Sequence, residues 1–163
     1  MRLSFRLKHR FLSAFREIFV HHHGSLEFRA KIFALVISAS EDVKVENYVI
    51  VKEIGMDIYQ NDEDRANLLM LSTKELVKKV KDDNGLDIDT LIAKIQKDLK
   101  FAPRYAKKID INSLQAFLSL THDQDTLSYQ ENILEFLTNL KNETLLSKKS
   151  QIAEDEEQLK VKS

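Results

Sequence analysis

The sequence predicts an all-α fold of about seven helices. Three observations carry that expectation. Three Gly and one Pro in 163 residues leave the chain few turn-makers and room for long helices. Apolar residues recur at spacings of three and four through most of the chain, the period of a helix face. A helix–turn–helix pattern also occurs twice, 82 positions apart. In it Ile32 matches Leu114, Ala34 matches Ala116, Leu35 matches Phe117, Val45 matches Leu127, Val51 matches Ile133, Glu53 matches Glu135 and Ile54 matches Phe136. Duplication of such a unit predicts one domain with a pseudo-twofold core.

Residues 3–20 read as a first helix, with Leu3, Leu7, Phe11, Phe15 and Ile18 on one stripe. Arg2, Arg6, Arg10 and Arg16 lie beside or behind the stripe. His21-His22-His23-Gly24 breaks the pattern, and Ser25 reads as the N-cap of a second helix over about 26–39. From Ile32 to Ile37 that helix has no polar face, so it belongs at the centre of the domain. A third helix runs over about 46–59, with Tyr48, Val51, Ile54 and Ile58 on one face.

Asn61-Asp62-Glu63-Asp64 opens a fourth, because acids in a first turn complement the free N–H groups and the helix dipole. Its apolar stripe is Leu68, Leu71, Leu76 and Val80, and Asp82-Asp83-Asn84-Gly85 stops it. Asp87 caps a fifth over 88–101, with Ile88, Leu91, Ile92, Ile95 and Leu99 inward, and Pro103 forces a break. The sixth spans about 111–121. The seventh starts at Ser128-Tyr129-Gln130-Glu131, an S-x-x-E capping box, and buries Ile133, Leu134, Phe136, Leu137 and Leu140. This divides the chain into a basic helix with a His-rich hinge (1–24), a helical domain (25–146) and a polar tail (147–163). The tail is read as disordered, or as a helix that needs a partner.

Beyond the fold, the repeat and its acidic turns resemble the TerB-like family. That family includes the tellurite-resistance TerB proteins and the TerB-like domain of the DjlA-type membrane-anchored DnaJ proteins. The resemblance covers about residues 26–143. The family's turn reads roughly A-D-G-x-I-x-x-x-E, with the isoleucine plugging the turn. Asp42-Val43-Lys44-Val45 matches the first copy with Val45 as plug, although Val43 replaces the Gly and Val49 the closing acid. In the second copy Leu127 is the plug and Glu131 the closing acid, with Gln124 and Asp125 at the usual Asp and Gly. The resemblance implies a stress-related or assembly-related helical module. No His-Pro-Asp tripeptide occurs, so the J-domain's stimulation of a Hsp70 is not implied.

Composition bounds the chemistry. Without Cys there is no disulfide, thiolate metal site or cysteine nucleophile, which fits a reducing cytoplasm. No run reaches the roughly 18 apolar residues that span a bilayer, and the interleaved N-terminus is not patterned as a secretory signal. No Gly-x-Ser-x-Gly elbow or Gly-rich phosphate loop is present, so the expected protein is not an enzyme. His122-Asp123 stands without a nucleophile pattern, and three adjacent histidines at 21–23 cannot all point one way. Glu53 and Glu135, at equivalent repeat positions, read as surface residues.

Charge is distributed unevenly. The first 20 residues carry Arg2, Arg6, Lys8, Arg10 and Arg16 against Glu17, while the whole chain has a net charge of −1. A basic helix on an acidic body concerns partners rather than fold. The expected function is therefore a non-enzymatic, cytoplasmic adaptor within a larger protein assembly. It docks through Arg2, Arg6, Leu7, Arg10, Phe11, Phe15 and Ile18 on a protein partner or, peripherally, on the inner membrane face. Nucleic acid is a poor fit, since four net charges bind weakly and the body is acidic. No cofactor is expected. The alternative is a metal-responsive stress protein holding a divalent cation at Glu41 and Asp42, or at Asp123 and Asp125.

Overall fold

The structure is a computed structural model and describes residues 23–162. The first expected helix, over residues 3–20, lies outside them. The described residues form six α-helices, one 3₁₀ helix and no strand. In order these are α1 (His23–Ser38), α2 (Val45–Ile58), α3 (Glu63–Lys81), α4 (Ile88–Phe101), the 3₁₀ helix Pro103–Lys108, α5 (Ile111–Leu118) and α6 (Gln124–Lys162).

α1 is the axis of the fold. Every residue from Ile32 to Ala39 is buried, and the helix packs on α3, α4, α5, α6 and the 3₁₀ helix. A helix apolar on all sides is stable in water only when other helices surround it, as its sequence predicted. α2 reaches the core through α3 and α5. Lys31, on α1, forms an ion pair with Asp98 of α4 at 2.6 Å and ties the two helices together where both side chains are largely covered.

Helix starts follow cap chemistry. The side chains of Asp62, Asp87, Asp110 and Asp123 each accept a hydrogen bond from the backbone N–H three residues on, which satisfies a donor that the helix leaves open. Gly85 ends the α3–α4 turn with φ +74°, in the left-handed region that a side chain disfavours. Asp110 is held below the ordinary aspartate range by the Ser113 hydroxyl, and Asp87 and Asp123 by the backbone N–H groups of Thr90 and Thr126. A carboxyl depressed in the folded state adds stability that is present above its unfolded value of about 4. That contribution is lost as pH falls through the depressed folded value. Carboxyl titration by NMR is therefore expected to show Asp87, Asp110 and Asp123 protonating at lower pH than an unperturbed aspartate.

α1 is already helical at His23, so Ser25 lies inside it and is not its N-cap. Two further sequence expectations are corrected. The last helix starts at Gln124, four residues before the expected capping box, so Ser128 lies inside it. Asp123 is the capping residue instead. Its carboxylate accepts from the Thr126 backbone N–H at 2.9 Å and from the Thr126 hydroxyl at 2.8 Å. Asp-x-x-Thr thus caps the helix earlier in the chain, with both bonds donated by Thr126 to the one carboxylate. Thermal unfolding is expected to show Asp123→Ala lowering the melting temperature and Ser128→Ala leaving it nearly unchanged.

The second correction concerns the plug of the first turn. Val45 is 75% exposed, whereas Val43 is half-buried against the core. Lys44 is extended at φ −99°, ψ 154°, and α2 starts one residue later, which turns Val45 outward. Leu127, its match in the repeat, is half-buried. Burial agrees across the repeat at Ile32/Leu114, Leu35/Phe117 and Val51/Ile133, all buried, and disagrees at the turn and at Ala34/Ala116, where Ala116 is exposed.

α2 and α3 form a tight antiparallel pair because Gly55 lets their backbones approach. A Cβ at Gly55 would lie 3.0 Å from the Ala66 Cα and 3.2 Å from its Cβ. Backbone cannot yield as a flexible side chain can. Gly55→Val is therefore expected to cost about 1–3 kcal/mol of stability, read from urea unfolding. The polar tail continues α6 as helix to Lys162, exposed from Lys149 onward.

Candidate interaction surface

The phase of α2 decides which of its side chains reach solvent. Asn47, Val51 and Gly55 face inward at four-residue spacing. Val45 and Val49, also four apart, then lie on an outer face, 75% and 48% exposed. On α3 the inward set is Ala66, Leu68, Leu69, Ser72, Thr73 and Val77. Of the expected stripe Leu68, Leu71, Leu76 and Val80, Leu68 is buried and the other three are half-buried. The same phase places Lys74, Lys78 and Lys81 in an exposed row along α3, at i, i+4 and i+7.

Between the two helices runs a groove of about 540 Å³. Val43, Tyr48, Met70, Leu71 and Val77 make its apolar lining, with Val45 and Val49 on one bank and the three lysines on the other. The Lys74 ammonium sits 5.7 Å from the centroid of the Tyr48 ring, a cation–π distance that orients it over the groove. Lys81 is anchored differently. Its ammonium donates to the Ser38 carbonyl at 3.0 Å and to the Ser40 carbonyl. Burial pushes this ammonium below its ordinary value, against the nearby Glu41 charge.

Lys81 thereby satisfies one of the carbonyls that a helix end leaves open. Gln130 satisfies another. Its amide donates to the Val36 carbonyl at 3.1 Å and accepts from the Thr121 hydroxyl at 2.8 Å, and the residue is buried. Ser40 closes the end, its backbone N–H bonding to the Ile37 carbonyl at 3.1 Å. The C-terminus of α1 is thus held by α3, α6 and the following turn, which fixes the floor of the groove relative to the core.

A second groove, of about 610 Å³, lies between α4 and the outer part of α6. Leu99, Pro103, Leu140 and Ile152 line it, with Lys100, Lys148 and Glu143 among its polar residues. Its charges are mixed, so it selects no sign of partner.

The expected docking residues Arg2, Arg6, Leu7, Arg10, Phe11, Phe15 and Ile18 lie outside the described residues. The acidic turns are described. Glu41 and Asp42 are exposed in the α1–α2 turn, Asp125 is exposed in the first turn of α6, and Asp123 is committed to its cap. Among the described residues no three His, Asp or Glu are gathered closely enough to hold a metal ion. Glu53 and Glu135 are exposed on α2 and α6. The sequence reading missed the groove because it placed Val45 inside. The signal was present in Lys74, Lys78 and Lys81, whose spacing is that of one helix edge. Compared with protein-family models, with curated proteins and with solved structures, the chain matches none.

Proposed function

We propose that this chain is a non-enzymatic helical interaction module, an adaptor within a larger assembly. The observation that supports this reading best is the α2–α3 groove, where apolar Val45 and Val49 stay exposed beside a lysine row. Exposing two valines next to each other gains nothing for the isolated fold, whereas burying them on a partner removes apolar surface from water. The lysines add selection for an acidic segment and speed its approach. In this reading the basic, Phe-rich segment 1–22 supplies a second attachment, to a protein or to the inner face of a membrane. Among the described residues no helix is long and apolar enough to cross a membrane. The TerB-like assignment rests on the sequence resemblance alone.

A photo-crosslinking residue at position 49 in the cells that make the protein tests the groove. Specific protein adducts, weakened by Lys74→Glu with Lys78→Glu, are expected. If position 49 crosslinks to nothing while the protein is folded and abundant, the groove is not a recognition surface. Deletion of residues 1–22 tests the second attachment, with loss of fractionation alongside partners or membrane as the expected result.

A further inference from the structure

We infer that the α2–α3 groove receives the acidic outer part of α6 from a second copy of the chain. The inference rests on the proposed reading of the groove as a docking surface and names its occupant.

The outer part of α6 is a helix in need of a neighbour. From Lys149 to Lys162 it is exposed, with Gln151 and Ile152 at the rim of the α4–α6 groove, and a helical stretch of this length with so little tertiary packing is marginal in water. Its side chains are not those of a purely solvated helix. Ile152 is 48% exposed and Leu159 is 69% exposed. Ile152, Asp155, Glu156 and Leu159 stand at i, i+3, i+4 and i+7, so two apolar residues and two carboxylates share one face. With Glu154 and Glu157, residues 152–159 hold four acids and no base, flanked by Lys149, Lys160 and Lys162.

The groove is its complement in chemistry and in length. Val45 and Val49 offer an apolar bank, and Lys74 and Lys78, followed by the backbone-anchored Lys81 and by Asp82, offer a mainly basic one. The lysine row spans seven residues and so does the Ile152–Leu159 pair, each about 10 Å along its helix axis. Seating one on the other covers four exposed apolar side chains and sets carboxylates against lysines.

The pairing has to be between molecules. α6 has neither Gly nor Pro and runs as one helix from Gln124 to Lys162, with its inner part fixed in the core by Gln130, Ile133, Leu134 and Leu137. An unbroken helix cannot fold its end back onto the groove of its own chain. Two copies can exchange ends, each filling the groove of the other, which closes the assembly as a dimer.

The test uses the full chain in sedimentation velocity over a range of concentrations at low and high salt. Self-association that weakens with salt is expected. Lys74→Glu with Lys78→Glu gives a groove that repels the native α6 end. Asp155→Lys with Glu156→Lys gives an α6 end that repels the native groove. Each variant alone is expected to raise the dissociation constant about tenfold or more, and an equimolar mixture of the two should restore association. All four positions are exposed, and circular dichroism confirms that the variants are folded. Because the chain has no cysteine, Val49→Cys on one copy and Leu159→Cys on another should form a disulfide-linked pair in the mixture.

Several results would overturn the inference: a monomer at all concentrations, association untouched by either charge variant, failure of the mixture to restore it, or association that vanishes on deletion of residues 1–22. A full chain that stays monomeric while position 49 crosslinks to a different protein removes the self-pairing and leaves the interaction module standing. Position 49 crosslinking to nothing, its own chain included, removes both.

Discussion

Phe117→Ala is expected to cost about 3–5 kcal/mol, measured as a drop in the urea midpoint with little change in slope. Phe117 is fully buried on α5, its ring centroid 5.8 Å from that of Phe33 on α1 at an angle of 58°. Truncation loses the transfer free energy of the ring, its tilted contact with Phe33, and whatever packing the cavity cannot recover. α5 is only eight residues long and holds its place through Leu114 and Phe117. A short helix with two buried anchors has little else to resist the loss. Domains of this size are stable by about 5–15 kcal/mol, so the variant is expected to sit near the edge of folding. Phe117→Leu, which leaves a smaller void, should recover a large part of the difference.

Gln130→Met is expected to cost about 1–3 kcal/mol although the new side chain is apolar, unbranched and of similar length. The reason is what the glutamine leaves behind. The Val36 carbonyl lies near the end of α1 and loses its Gln130 partner, and the Thr121 hydroxyl loses its acceptor. The buried Val36 carbonyl left without its donor costs about 1–3 kcal/mol, against a modest gain from the extra apolar burial, while the half-buried Thr121 hydroxyl can turn to water. Gln130→Glu should be worse at neutral pH, since a buried carboxylate facing a carbonyl oxygen is repelled rather than bonded. Thermal unfolding of the two variants beside the parent chain checks the order.

These two positions also mark how far the sequence could be read. Phe117 was legible because it stands where Leu35 stands in the repeat, inside an apolar helical run. The helix limits were legible where local chemistry is one-sided. α4 has Asp87 before it and Pro103 after it, and its observed bounds are the expected ones. Gln130 was not legible. Its role depends on a carbonyl 94 residues away at a helix end, and a lone polar residue gives no periodic signal.

The turn between α1 and α2 was misread for a related reason. Whether Val43 or Val45 plugs it depends on a single residue of helix phase, set by the extended backbone of Lys44. Composition does not carry that information. The candidate groove followed from the same phase, because the turn of α2 that hides Val43 also puts Val45 and Val49 on the outside. The start of α6 was missed where two capping signals compete within five residues and the earlier one prevails.

The continuity of α6 has a mechanical consequence. Gln130 and Lys162 lie on one helix, about 48 Å apart along its axis. The near end grips the C-terminus of α1 and the far end stands clear of the body. Such a helix behaves as a lever whose fulcrum is the core. A sideways force at the tip is delivered as torque to the Gln130–Val36 bond and the packing of Ile133 and Leu137, rather than absorbed by a hinge. Whatever holds the outer end therefore also sets the alignment of the central helix.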